Sequence, residues 1–386
     1  MLLTPTIRSL AKAVLPPVVT TGLRRVRRSI YPDSLDKSLI PCAAPASPPV
    51  SEKSPSDGAA YQTFCTDLNL LLIADALSKL LAALKGRDLF QTAYIGYDPQ
   101  LFKVVEALQD FGFQAHFFAG KDRDVFHRAL PLAQLDPVNF DLAVVSDVDP
   151  TREEALAADT RRRLADYRGC TLVGLRHLAS AHMLALQHLQ REYFFTCLNP
   201  RKMSLIAAAL YLTPRDGAVI ECGVYLGGTT IYMGLLQKFL VLSRPIYALD
   251  TFEGMPEPTA KDFGKEEVVY RAGLFSDTRL SAVSWMCCAH GLESGIRLVP
   301  GLVQETLPHV LAECRGVAFA FLDTDQYAGT KAGLDHVVPV LSADGLIIVD
   351  DTTVHGVDTA IAETVRAHGH LKRRHISGNF DLLFRR

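Results

Sequence analysis

From about residue 66 onward, short apolar runs alternate with stretches in which apolar residues recur every third or fourth position. Ala93–Gly96, Gln114–Ala119, Phe140–Val145 and Thr171–Leu175 read as strands, and Leu101, Val104, Val105 and Leu108 share one helical face between the first two. Thr66 is placed to cap a helix running to about Lys85, with Gly86 as its terminator. Strands spaced by helices predict a small parallel α/β sheet. A helical stretch follows from about Ala179 to Tyr211, with Met183, Leu186 and Leu189 on its core face. A second series of strands comes next: Val219–Val224, Ile246–Asp250, Ile296–Val299, Phe319–Asp323 and Leu346–Asp350, closed by Leu371–Ile376 and Phe380–Phe384. Between them Leu334, Val337, Val338 and Leu341 keep helical spacing. The nearly unbroken apolar run Leu346–Val349 fits a sheet covered on both faces. The fold class this predicts is α/β, with a C-terminal doubly wound, Rossmann-like sheet preceded by a smaller parallel α/β domain.

The punctuation divides the chain into four parts. Residues 1–60 hold a basic arm and a Pro/Ala/Ser-rich linker from Leu39 to Ala60. Residues 61–178 form the small α/β domain, 179–213 a helical connector, and 214–386 the larger domain. Composition adds limits. Of 386 residues, 48% are hydrophobic and the net charge is −2, so a filled core is expected and no basic excess suits nucleic acid. Eight cysteines (Cys42, Cys65, Cys170, Cys197, Cys222, Cys287, Cys288, Cys314) form no C-x-x-C pair and read as reduced thiols of a cytoplasmic protein. No apolar run is long enough to span a membrane, and Asp75 and Lys79 interrupt the richest one, Leu68–Leu84. Residues 1–32 lack acids, and Arg24, Arg25, Arg27 and Arg28 cluster near their end. A solvated arm is the preferred reading over a membrane-surface segment, since Pro16 and Pro17 break any helix there. In the smaller domain, Gly96-Tyr97-Asp98-Pro99, Asp147 and Asp149 end strands without completing a motif. That domain reads as structural, dimer-forming or substrate-shaping, which leaves room for a homo-oligomer. Arg161, Arg162 and Arg163 read as a solvated helix face.

Chemistry gathers in the larger domain. The stretch Val219-Ile220-Glu221-Cys222-Gly223-Val224-Tyr225-Leu226-Gly227-Gly228-Thr229-Thr230 passes from a strand through a glycine turn into a helix. Glycines permit sharp reversal and let a ligand lie against bare backbone, and the helix start offers free N–H groups. Together these make a nucleotide-sized cradle at the carboxyl edge of a parallel sheet. The glycine spacing is not G-x-G-x-x-G, which argues against an NAD-dependent oxidoreductase, and no P-loop Lys-Ser/Thr follows. Glu221, at the strand end, is suited to an ammonium. The pattern is similar to the first motif of class I S-adenosylmethionine-dependent methyltransferases. Candidate cofactor contacts are Glu221, Gly223, Tyr225, Gly227, Gly228 and Thr229, then Asp250 and Thr251 after the next strand, where an acid can grip ribose hydroxyls.

Acids also end later strands: Asp323 with Asp325, and the pair Asp350-Asp351. Adjacent strands lie under about 5 Å apart, so Asp323, Asp350 and Asp351 should crowd together. Two carboxylates at 4 Å repel by roughly 4 kcal/mol at an effective dielectric near 20, so protons or a cation must sit among them. Oxygen donors without His or Cys favour Mg²⁺ over zinc.

Glu-Cys-Gly-Val-x-x-Gly-Gly at 221–228, Asp-x-Phe-Glu-Gly-x-Pro at 250–256, Asp-x-Asp-x-Tyr at 323–327 and Asp-Asp at 350–351 occur in this order. In this the chain resembles the macrocin O-methyltransferase family, from about Glu192 to the C-terminus. Gln326 and Thr352-Thr353 depart from the family's usual pattern. The resemblance implies S-adenosylmethionine and Mg²⁺, a metal held by Asp323, Asp350 and Asp351, and Asp325 as general base. It implies methyl transfer to a hydroxyl of a small, glycosidic or otherwise polyhydroxylated natural product. A metal can lower a bound hydroxyl's pKa, and a nearby carboxylate can take its proton. His355 is a rival base, read here as a loop histidine. The alternative from another class is a non-catalytic adenosine-binding or assembly module that kept the fold.

Overall fold

The structure, a computed structural model of the chain, describes residues 55–86, 90–96, 113–119, 130–131, 134–136, 139–147, 150–164, 170–191, 196–264 and 270–385. The basic arm, most of the linker, the helical face Leu101–Leu108, Tyr97–Pro99 and Asp149 lie outside the described residues. Helix α1 (Pro55–Lys85) begins well before Thr66, inside the expected linker. Proline suits a first helical turn because its missing N–H would be unsatisfied there anyway. The helix stops where expected: Gly86 takes φ 70° and returns its N–H to the Ala82 carbonyl.

Strands β1 (Phe90–Ile95), β2 (Phe113–Ala119), β3 (Leu130–Pro131), β4 (Leu142–Val145) and β5 (Thr171–Gly174) form a parallel sheet in the order β3-β2-β1-β4-β5. Helix α2 (Pro150–Arg163) precedes β5, and its arginines at 161–163 are exposed, as the sequence implied. The connector is two helices rather than one, α3 (Leu175–Arg191) and α4 (Pro200–Leu212). Asn199 and Pro200 set the second start. The Asn199 side chain accepts the Lys202 N–H at 3.0 Å, and proline opens the first turn.

The larger sheet holds β6 (Ala218–Cys222), β7 (Ile246–Asp250), β8 (Ile296–Pro300), β9 (Val317–Leu322), β10 (Leu341–Val349), β11 (Leu371–Ser377) and β12 (Phe380–Arg385). Their order is β11-β12-β10-β9-β6-β7-β8, parallel except where β12 pairs antiparallel with β10 and β11. Five α-helices belong to this part among the described residues: α5 (Gly228–Phe239), α6 (Leu280–Ala289), α7 (Val303–Glu313), α8 (Tyr327–Val340) and α9 (His355–Ala367). Leu334, Val337 and Val338 are buried on α8, whereas Leu341 has already entered β10. The sheet order reverses between β6 and β9, and ligands of open α/β sheets bind at that crevice.

Alternation along the strands explains the core. Val219, Phe319, Phe321, Ile348 and Leu382 face one cluster, while Ile220, Ala320, Leu322, Ile347 and Leu383 face the other. The first cluster also takes in Leu70, Leu77 and Leu81 of α1, Tyr94, Leu142, Val144 and Val173 of the smaller sheet, and Leu205 and Ile206 of α4. The chain from Tyr61 to Arg386 is thus one compact unit with a shared core. Buried Arg244 fastens α4 to it, donating to the carbonyls of Leu210 and Pro214, the Thr213 hydroxyl and Gln237 Oε1 at 2.8–3.0 Å. Among the described residues no helix is long and apolar enough to cross a membrane.

Candidate active site

The site lies where β6, β7, β9 and β10 end. Each strand turns sharply on leaving the sheet: Tyr225, Phe252, Asp325 and Asp351 have φ between 51° and 57°. Such backbone is uncommon outside glycine and persists only where surrounding contacts enforce it.

The glycine turn serves its own chain first. Gly223 has φ 92°, and a Cβ there would sit 1.9 Å from the Asp323 carbonyl oxygen; at Gly227 (φ 83°) it would meet Val283 of α6 at 2.7 Å. Both glycines therefore allow backbone and helix to close in, not only a ligand. Gly228 opens α5, and the Thr229 hydroxyl meets that of Thr196 at 3.0 Å. Asp250 is a brace. Its Oδ2 accepts the N–H groups of Val224 and Tyr225 at 2.7 and 2.9 Å, and its Oδ1 that of Phe252 at 2.7 Å. A carboxylate accepts about four bonds, so little capacity remains for the expected ribose contact. Thr251 donates to the Gly254 carbonyl at 2.6 Å. The Tyr225 phenol donates to Asp277 at 3.0 Å, and its ring meets Phe275 edge-on.

Glu221 is fully buried. Thr230 donates to its Oε2, while Oε1 has no partner, and burial pushes the carboxyl up to about 8. An orphaned oxygen beneath the glycine turn fits a donor such as a proton or an ammonium.

The acids separate into two groups. Asp323, Asp325 and Asp351 each offer an oxygen within 4.8 Å of the others. Asp350, expected among the ion ligands, faces Lys202 instead: the ammonium donates to Oδ1 at 2.5 Å and Oδ2 at 2.7 Å. The Asp351 N–H fills Oδ1 further at 2.6 Å. Asp325, expected to stand beside the ligands as base, is inside the group. Left-handed backbone at Asp325 and Asp351 accompanies this grouping of side chains from neighbouring strand ends.

Burial, a hydrogen bond with Asp351 and the nearby acids raise the Asp325 carboxyl well above the usual range. Burial, Asp350 and Asp351 do the same for Asp323. Burial opposes ionisation of Asp351 too, yet hydrogen bonds from Asp325, Tyr270 and Asn379 bring it below its ordinary value. The Tyr270 phenol donates to Asp351 Oδ2 at 2.9 Å, and the Asn379 amide donates to Oδ1. Three carboxyl groups crowded in this way form a hard-oxygen site whose charge a divalent ion would balance.

Lys202, Tyr270 and Asn379 escape the sequence reading, since no local motif marks them. The Asn-Pro start of α4 and Gly378-Asn379 in the β11–β12 turn are the available signals. Gln326, a departure from the family pattern, is buried and donates to the carbonyls of Pro256 and Tyr270 at 3.0 and 2.9 Å. It ties down the segment that carries Tyr270. His355 starts α9, and its ring lies against Gly264.

Comparison with known proteins adds the family. Residues 203–376 match the macrocin-O-methyltransferase (TylF) family. Mycinamicin III 3''-O-methyltransferase of Micromonospora griseorubida is 28% identical over 183 residues, which cover 45% of this chain and 71% of that protein. The 8-demethyl-8-(2,3-dimethoxy-alpha-L-rhamnosyl)-tetracenomycin-C 4'-O-methyltransferase of Streptomyces olivaceus is 30% identical over 149 residues. There the match covers 38% of this chain and 56% of the relative. The solved O-methyltransferase NovP matches with a TM-score of 0.45 at 21% identity, over 50% of this chain and 82% of its own. Over residues 203–376 this chain thus resembles the macrocin-O-methyltransferase family, and the enzymatic class is that of the S-adenosylmethionine-dependent O-methyltransferases.

Proposed function

We propose that the protein transfers the methyl of S-adenosylmethionine to a hydroxyl of a glycosidic or otherwise polyhydroxylated small molecule, with Mg²⁺ held by Asp323 and Asp351 and with Asp325 beside them. The observation that carries the reading is the clustering of those three carboxyl groups within 4.8 Å beside the β6 glycine turn. When bound, the ion would supply charge neutralisation and a lowered pKa for a hydroxyl it touches. The chain's own part is positional. Asp325 takes the proton from the acceptor hydroxyl as that oxygen forms its bond to the methyl and the sulfur–methyl bond breaks. The sulfonium leaves as a neutral thioether, so charge and atoms balance. Tyr270 and Asn379 orient Asp351, and Gln326 holds the Tyr270 segment in place. Glu221 Oε1 has room in its bonding for the donor's ammonium. The names of the relatives, which act on glycosylated compounds, support the acceptor class.

The test is incubation of the full chain with isotopically labelled S-adenosylmethionine and a panel of glycosides, with Mg²⁺ or with EDTA, read by mass spectrometry. Label on a sugar oxygen that depends on Mg²⁺ is the expected result. Transfer indifferent to EDTA removes the ion from the mechanism, and label only on non-glycosidic phenols removes the acceptor class. Cofactor binding with no transfer to any acceptor would favour the non-catalytic module.

A further inference from the structure

Between β7 and β8 the chain leaves the sheet and crosses its carboxyl edge. Tyr270 reaches Asp351 at the end of β10, and Thr278 comes back to donate to the Tyr225 carbonyl in the turn after β6. Phe275 lies between these two anchors with φ 59°. A bulky side chain rarely takes left-handed backbone, and one that does so is held there by its surroundings. Two backbone bonds supply the hold on one side: the Met255 N–H donates to the Leu274 carbonyl at 2.8 Å, and the Gly273 N–H to the Met255 carbonyl at 2.9 Å. On the other side Asp277 accepts the Tyr225 phenol at 3.0 Å.

The Phe275 ring joins two others. Its centroid is 5.0 Å from that of Tyr225, edge-on, and 6.4 Å from that of Tyr270. Tyr225 belongs to the glycine turn, and the Tyr270 phenol touches Asp351 of the acid group. Three half-buried rings thus run from the turn to the acids, with the one that lacks a polar tip in the middle. Phe319, Phe321 and Phe380, which serve the core, are fully buried; Phe275 keeps part of its surface open. A sugar ring suits such a wall, because its hydroxyls project round the rim while its C–H face is apolar. An acceptor whose hydroxyl reaches Asp325 and Asp351 brings its ring against the wall that ends at Tyr270. We infer that Phe275 is the platform for the carbon face of the acceptor's sugar ring, a residue that sets acceptor binding and specificity rather than the chemical step. Tyr225 and Tyr270 back it, and an aromatic side chain offers a large, rigid contact at little entropic cost.

This inference rests on the acceptor class proposed above, and the experiment separates the two. Methyl α-L-rhamnopyranoside is titrated into the full chain loaded with S-adenosylhomocysteine, the product form of the cofactor, and read by saturation-transfer NMR; calorimetry follows S-adenosylhomocysteine alone. Phe275→Leu keeps an apolar side chain but loses the flat face. The glycoside should bind it at least about threefold more weakly, and Phe275→Tyr within about twofold of the parent. S-adenosylhomocysteine should bind all three chains within about twofold of one another. A smaller loss of glycoside in Phe275→Leu overturns the inference, as does Phe275→Tyr outside its range. A loss confined to S-adenosylhomocysteine would set the ring against the cofactor, and an equal loss of both ligands would mark a merely structural role; either overturns it. Should Phe275→Leu not fold, Phe275→Trp takes its place, its added indole emission expected to shift when the glycoside binds, and no shift overturns the inference. A parent that binds no glycoside overturns it too, and label transfer in the panel above then shows whether the acceptor class stands without it.

Discussion

Two residues carry the sharpest consequences. Burial and the Asp351 hydrogen bond raise the Asp325 carboxyl well above its ordinary range. The proposed role needs that carboxyl as an acceptor once a cation balances the group. Asp325→Asn should therefore lower turnover by about 10²-fold or more while S-adenosylmethionine still binds by calorimetry. Turnover within about tenfold of the parent would remove Asp325 as base. Glu221 makes a prediction about stability. Its carboxyl rises from the ordinary 4.5 to about 8 through burial. Below pH about 4.5 both folded and unfolded chains hold this proton, and the contribution is complete. As pH climbs toward 8 the unfolded chain ionises while the folded one keeps its proton, and up to about 5 kcal/mol is lost. In cofactor-free protein the melting temperature should fall between about pH 5 and 8, and Glu221→Gln should flatten that fall. An equally steep profile in the variant would mean another group is responsible.

At the scale of elements, α4 matters most. Its start is set by Asn199 and Pro200, its end by Arg244, and between them it presents Lys202 to Asp350. Asn199→Ala should cost about 1 kcal/mol in urea denaturation, the usual worth of an N-cap. A loss smaller than about 0.3 kcal/mol would show that the Asn199 cap is not what holds the first turn. The elements are mostly legible in the sequence, because Ile246–Asp250 and Phe380–Phe384 are dense apolar runs bounded by polar turns. The connector reads as continuous for one reason: Met183 and Leu189 keep the same helical rhythm as α4, and rhythm does not reveal that proline at 200 must begin a helix. Leu341 shows the converse, keeping helical spacing with Leu334 and Val338 although the backbone has already become a strand.

For the whole molecule, the shared core decides behaviour. The division at 178 and 213 separates two sheets, but Leu70, Val144, Leu205 and Phe319 belong to one buried cluster. We propose that residues 61–386 unfold as one cooperative unit. Differential calorimetry should give a single transition, with calorimetric and van't Hoff enthalpies equal. Two transitions separated by more than a few degrees would show that the sheets melt independently.

Sequence by itself determined every strand but the two-residue β3, which of the strands end in acids, and that those ends share the carboxyl edge beside a glycine turn. Those features follow from local periodicity and from the parallel sheet, whose geometry sends successive strand ends to the same side. Only the tertiary structure decided which acids stand together. Asp325 and Asp351 turn through left-handed backbone into one group, while Asp350 is claimed by a lysine 148 positions away. Tyr270 and Asn379 likewise reach Asp351 from distant segments. The direction of a side chain after a sharp turn, and the long-range partner that meets it, depend on packing that no local pattern encodes.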